Sequence, residues 1–343
     1  VEIARKDGVT QRLTTRGIVI AAGAEPFVPP IPGLEQSNYL TSDTMWNAFA
    51  KMERAPARIA VLGGGPIGCE LALAFQQLGS QVIQVERGNR LLPREDADAS
   101  ELVTVSLGSA GVDLRLNHQA ERFELRNGTP TVLCRSQDSD QSVEIEFDCV
   151  LVALGRVANT SGYGIETLGL AVRDNGTLDT NEYLATRFPN VFAVGDVTGP
   201  YQFTHAASHQ AWYAAVNALF GSFRRFKVDY RVLPHCTFTD PEVARVGLSE
   251  TEAQEQGVEY EVTRYGIDDL DRAIADEAAE GFVKVLTEPG RDRILGVTIV
   301  GAHAGELIAE YVLAMKHNLG LNKILGTVHS YPTLSEANKY AAG

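Results

Sequence analysis

Apolar residues in this chain fall into short runs separated by glycine, proline and acidic residues, and the period of the runs changes along the sequence. Residues 1–24 start in strand-like alternation with a turn at Asp7-Gly8 and continue into a buried strand, GIVIAAG. A proline-rich link, AEPFVPPIPG, follows, and Ser42 is then expected to cap a helix through about Met52. From Arg58 the pattern turns to strand, glycine-rich turn, helix and strand: RIAVL, GGGPIG, CELALAFQQLG, QVIQVER. That order is a βαβ unit. A helix at about 95–109 and the strand VDLRL extend it, and TVLCRS and VEIEFD, joined by polar QDSDQS, read as a hairpin. CVLVALGR is a further buried strand. Near residue 160 a new segment begins, with the strand NVFAVGD and the helix HAASHQAWYAAVNALFG. From about 231 come the strands LPHCTFTD, EYEVTRYG, GFVKVLTE and ILGVTIVG, then a helix from about His303 to His317. Strands followed by a helix predict an α+β module attached to an α/β body. No internal repeat is visible.

Composition narrows the function classes. A length of 343 residues suggests about two to three domains. The net charge of −14 and a pI near 5.0 disfavour nucleic acid, which needs clustered Lys and Arg. No apolar run is long enough for a membrane span, and no signal peptide is expected. The cysteines, Cys69, Cys134, Cys149 and Cys236, form neither a C-x-x-C pair nor a disulfide framework, so a reducing, cytoplasmic setting and no metal site are expected.

The glycine turn carries the most chemistry. VLGGGPIGCE places Gly63-x-Gly65-x-x-Gly68 after a strand, with Gly64, Pro66 and Ile67 between them and a helix opening behind. Gly63 permits the tight turn, Gly65 lets a pyrophosphate approach the backbone, and Gly68 allows close strand–helix packing. The helix N-terminus offers N–H groups and the positive end of a dipole to phosphate. Glu86, at the end of the next strand, has the position of an acid that accepts hydrogen bonds from a ribose. It would repel a 2′-phosphate, which favours NAD over NADP, although Arg87 follows it directly.

The segments VIAAGAEPFVPPIPG, VLGGGPIGCELA, VALGRVANT, NVFAVGDVTG and FTDPEVARVGLSE occur here in one order. In these motifs the chain resembles the flavin-dependent pyridine nucleotide–disulfide oxidoreductases, which include lipoamide dehydrogenase, glutathione reductase, mercuric reductase and a soluble transhydrogenase. The resemblance spans essentially the whole chain. It implies a Rossmann-like NAD domain (41–157), a partial FAD domain (1–40 and 158–230) and an α+β dimerisation domain (231–343), assembled as a homodimer. It further implies that Ala21, Ala22 and Gly23 lie near FAD, that Asp196 holds its ribityl chain, and that Gln202, Phe203, Thr204 and His205 line it. Gly155 and Arg156 would border the nicotinamide nucleotide. Glu70, placed in the first turn of the cofactor helix, would lie near the nicotinamide; read alone, it is an acid favoured by the helix dipole.

Members of the family begin with another G-x-G-x-x-G for FAD and a C-x-x-x-x-C redox disulfide, and this sequence has neither. With Val1 first, the expectation is a chain truncated by roughly a hundred residues, about one domain. The implied reaction passes hydride from nicotinamide to flavin and then electrons to a disulfide or another acceptor. The alternatives are a flavin transhydrogenase or diaphorase that uses no disulfide, and a catalytically silent nucleotide-binding remnant. The closing stretch TVHSYPTLSEANKYAAG puts Tyr331-Pro332 where relatives carry His-Pro, with Glu336 five residues on. The resemblance makes Tyr331 and Glu336 the candidate catalytic pair, with Tyr331 directed to the partner subunit's flavin. A phenol, with a pKa near 10, is a donor there and a poor base. His329 could take over only if its loop shifted. No C-terminal cysteine pair is present, which argues against mercury reduction. On its residues alone, Thr333-x-x-Glu336 is a capping box for the last helix.

Overall fold

Val, Ile and Leu dominate RIAVL and QVIQV, and they form neighbouring parallel strands, Arg58–Leu62 and Gln81–Val85, buried on both faces. Such runs suit a parallel sheet covered by helices. The computed structural model describes residues 1–139 and 141–343. Among these, two units are distinct: Val1–Glu25 with Arg156–Tyr230, and Pro26–Gly155 with Arg231–Gly343.

In the larger unit the parallel sheet has five strands in the order Leu40–Thr41, Cys149–Val152, Arg58–Leu62, Gln81–Val85, Asp113–Arg115. Helices Pro66–Gln77 and Ala97–Ser109 bury Cys69, Ala72, Leu73, Ala99, Val103 and Leu107 in one core. A three-stranded antiparallel sheet, His118–Arg126, Thr129–Ser136 and Ser142–Glu146, contains the expected hairpin. Residue 140, within the QDSDQS link of the sequence, lies outside the described residues. The helix expected from Ser42 to Met52 is shorter, Met45–Phe49, with Thr44 at its N-cap. Thr44 Oγ1 instead accepts the Thr41 N–H at 2.9 Å, and that local turn delays the helix start.

Residues after 231 build a second, antiparallel sheet in the order His235–Thr237, Glu242–Gly247, Ile294–Gly301, Phe282–Thr287, Glu261–Gly266. Helix Ala304–Lys316 packs on it. Glu242–Gly247, a central strand, was not among the expected strands. Its burial on successive positions gives no alternation, and Arg245 interrupts the apolar run. Val243, Phe282 and Val300 from this sheet belong to the same core as Met45, Phe75 and Leu107.

The smaller unit opens with an exposed hairpin, Glu2–Ala4 and Thr10–Arg12. Strand Ile18–Ile20 pairs in parallel with Val191–Ala193, and helix Thr204–Phe220 follows.

Candidate functional site

The glycine turn is fixed from every side. Gly63 has φ +115°, and a Cβ on it would sit 2.3 Å from the Ala153 carbonyl oxygen. A Cβ on Gly68 would sit 2.1 Å from the Gly63 carbonyl oxygen. The Gly63 N–H donates to Val85 O at 2.8 Å, and buried Gln84 donates from Nε2 to Gly63 O at 2.9 Å. Leu92 N–H donates to Gly64 O at 2.7 Å. A Cβ on Gly65, in contrast, would meet nothing within 4 Å. Helix Pro66–Gln77 starts at that point, with Gly65 as N-cap and Pro66 and Ile67 in its first turn. Proline brings no N–H, and the remaining first-turn N–H groups have no partner within the helix. The turn is therefore held tightly at Gly63, Gly64 and Gly68 and is open at Gly65.

Glu86 is half-buried beside it. One carboxylate oxygen accepts Gly64 N–H and the other Gly88 N–H, both at 2.6 Å. Each oxygen retains a lone pair for a further donor. Glu86 thus braces the turn. Glu70 lies deeper in the helix than expected. The helix begins at Pro66, so Glu70 is its fifth residue and not in its first turn. Burial pushes its carboxyl above the ordinary range, partly offset by the Phe238 N–H, which donates to Oε1 at 2.9 Å. Gly155 has φ +113°, and its carbonyl accepts the Phe27 N–H at 2.8 Å.

In the smaller unit, Asn159 holds the Ala21–Gly23 segment: its Nδ2 donates to Ala22 O at 2.9 Å and its N–H to Gly23 O at 3.0 Å. Gly23 has φ +68° and open space where a Cβ would stand. Asp196 lies in the turn after strand Val191–Ala193. Burial raises its carboxyl pKa, and Arg156, with Nε 3.7 Å from Oδ2, opposes that shift. Arg156 also donates to Ala24 O at 2.6 Å. It is thus built into the Asp196 cluster, a placement that its position after VLVAL does not reveal. Gln210, which sequence reasoning missed, is buried and accepts the Gly195 N–H at 2.6 Å while donating to Tyr230 Oη at 2.8 Å. It locks the turn that carries Asp196. At the head of the helix opening at Thr204, Phe203 lies between Tyr201 and His205, its ring stacked on the His205 ring at 5.3 Å, and Gln202 lies beside them half-exposed.

Tyr331 is 70% exposed, and its hydroxyl donates to Asp271 Oδ2 at 2.7 Å. That bond raises the phenol pKa further. Glu336 is buried and accepts Thr333 N–H at 3.2 Å and Tyr340 O–H at 3.4 Å. The expected capping box is only half formed. Helix Glu336–Tyr340 has Ser335 at its N-cap, and Thr333 Oγ1 donates to Ser330 O at 2.6 Å instead of capping. A complete capping box exists elsewhere, between Ser249 and Glu252 on helix Glu250–Glu255. His329 is held by Glu310, with Nε2 2.9 Å from Oε1, and Asn338 donates to the same carboxylate at 2.9 Å. The four cysteines are free; burial pushes Cys69, Cys134 and Cys236 up to about 12 and Cys149 up to about 11.

Residues 1–211 match the family model described as pyridine nucleotide-disulphide oxidoreductase, and residues 233–342 match that family's dimerisation domain. The chain belongs to the pyridine nucleotide-disulphide oxidoreductase family. A dihydrolipoyl dehydrogenase of Chlamydia pneumoniae is 35% identical over 319 residues, 93% of this chain and 66% of that protein. A mercuric reductase of Staphylococcus aureus is 34% identical over 332 residues, 97% of this chain and 59% of that protein. The chain thus spans less than two thirds of the length of both of these relatives. Among solved structures, LpdA from Mycobacterium tuberculosis matches with a TM-score of 0.87 at 27% identity, covering 99% of this chain and 72% of that one. The HOCl-induced flavoprotein disulfide reductase RclA from Escherichia coli matches at 0.86 and 27%, covering 99% and 75%. Members of this family are FAD-dependent oxidoreductases that use NAD(P)H. Among the described residues, no helix is long and apolar enough to cross a membrane.

Proposed function

We propose that this chain carries the nicotinamide-nucleotide site and part of the flavin site of an FAD-dependent NAD(P)H oxidoreductase, with NADH as the preferred nucleotide. The open cradle at Gly65, between two glycines that packing forbids from changing, carries the reading. Nicotinamide and flavin supply the hydride chemistry when bound; the protein positions them. Gly63–Gly68 and the following helix N-terminus receive the pyrophosphate. Glu86, already bonded to Gly64 and Gly88, offers its remaining lone pairs to a ribose and disfavours a 2′-phosphate. Ala21–Gly23, Asp196 and Gln202–His205 serve the flavin. Glu70 and Gly155 border the nicotinamide, while Arg156 steadies Asp196. Residues from 231 form the interface of a homodimer, and Tyr331 is a hydrogen-bond donor there, with Glu336 steadying its loop.

A second reading is a transhydrogenase or diaphorase that uses no disulfide. The four cysteines are unpaired, with thiol pKa values raised by burial, so none is a ready redox thiolate. Titration of the protein with NADH and NADPH, followed by nucleotide fluorescence, tests the first reading. Tighter NADH binding is expected; tighter NADPH binding overturns the preference, and no binding of either overturns the site. Visible absorbance after incubation with FAD and desalting reports the flavin site independently.

A further inference from the structure

The segment Leu91–Asp98 connects the glycine turn to the antiparallel sheet through bonds that the nucleotide reading does not use. Leu92 is 1% exposed and has φ +45°, a left-handed conformation that is costly for a side chain of this size. Its N–H is the group that donates to Gly64 O at 2.7 Å. Strain of this kind persists only where the surroundings over-determine it. Here they do so within a few residues. Glu95, 5% exposed, accepts from Arg245 Nε at 2.9 Å and lies 2.9 Å from His235 Nε2. Arg245 also donates to Glu252 at 2.5 Å. Asp96, 4% exposed, lies 2.9 Å from Lys284 Nζ and accepts the N–H groups of Glu250 and Thr251 at 3.1 Å, so it caps a helix of the second module. Lys284 is 2% exposed and also reaches Asp98 and Glu250, each at 2.9 Å. Both cations stand on strands of the antiparallel sheet, Glu242–Gly247 and Phe282–Thr287.

We propose that Arg245 and Lys284 are positioning residues for the nucleotide site. Through Glu95 and Asp96 they clamp the Leu91–Asp98 segment, and the strained Leu92 amide then fixes the Gly64 carbonyl and the geometry of the turn. The interface module is by this route a structural part of the nucleotide site, although neither cation lies among the residues assigned to contact the nucleotide. The inference rests on reading Gly63–Gly68 as that site.

The test uses the full chain and the variants Glu95→Gln, Lys284→Met and Lys284→Arg, with Ile299→Ala as a matched control. Ile299 is fully buried in the same sheet, carries no charge and packs in a core cluster apart from that of Leu91 and Leu92. Two readouts are taken beside thermal stability: NADH affinity, and hydrogen–deuterium exchange of the peptide containing Leu92. Glu95→Gln and Lys284→Met are expected to weaken NADH roughly two- to thirtyfold, the range for mutations that act through a packed network. They should also speed Leu92 exchange more than Ile299→Ala does at equal loss of melting temperature. Lys284→Arg, which keeps the charge, should retain most of the affinity. Equal effects from Ile299→Ala, or unchanged Leu92 exchange in Glu95→Gln, would overturn the clamp. If the unaltered protein binds no NADH, the nucleotide reading fails instead, and the exchange readout still decides the clamp. Should Lys284→Met not fold, Glu95→Gln and Lys284→Arg carry both readouts.

Discussion

At the scale of single residues, the three motif glycines are not equivalent. Gly68→Ala must push a methyl against the Gly63 carbonyl, 2.1 Å away, and should cost about 1–3 kcal/mol of stability, the range for overpacking. Gly65→Ala meets open space and an extended backbone, so it should cost the fold less than about 1 kcal/mol, the loss of a tolerable N-cap residue. It should nevertheless weaken NADH about tenfold or more, equivalent to about 1.4 kcal/mol. Melting curves and nucleotide titrations of both variants separate the two roles; equal loss of affinity without loss of stability in Gly68→Ala would contradict the packing assignment. The glycines were legible because spacing encodes them. Gln84 and Gln210 were not, nor was the pairing of Arg156 with Asp196. Each acts on a backbone group or carboxylate far off in sequence, and nothing local marks a buried amide as a brace.

Among elements, the strands with uniform apolar runs were read correctly, since burial on both faces leaves a continuous signature. Glu242–Gly247 escaped because Arg245 sits in its middle, neutralised by carboxylates that only the fold brings near. Capping was also misplaced. Thr333 and Glu336 have the spacing of a box, but the turn from Ser330 claims the threonine hydroxyl first. Ser249 and Glu252 make the reciprocal pair instead, with Glu252 N–H 3.1 Å from Ser249 Oγ and Ser249 N–H 3.2 Å from Glu252 Oε2. Ser249→Ala should therefore lower stability by about 1 kcal/mol. Denaturant unfolding monitored by circular dichroism checks this, and a midpoint unchanged at constant slope would count against it.

For the larger unit as a whole, the buried charges set the conditions of stability. Burial pushes Glu95 and Asp96 upward, but the hydrogen bonds and charges of His235, Arg245 and Lys284 outweigh it and hold both below their usual values of 4.5 and 3.8. A depressed folded pKa stabilises above the unfolded value and is lost as pH falls through the folded one. Lys284 is shifted the other way by its three carboxylates, so its contribution is in place below its usual 10.5 and is lost only above it. At neutral pH both hold. Calorimetry should accordingly show the unit melting in one transition near pH 7, with the melting temperature falling steeply below about pH 4.5 and falling less in Glu95→Gln. Two separated transitions at neutral pH would contradict it. Val243, Phe282 and Val300 give that cohesion a practical meaning. The change of style near residue 231 marks a seam in composition, yet the apolar surface runs straight across it. A chimera joining this second module to a foreign nucleotide domain would inherit a face cut to fit Met45, Phe75 and Leu107, and two cations awaiting Glu95 and Asp96. The unit to carry over in such a chimera is thus the pair of modules together with the segment that laces them.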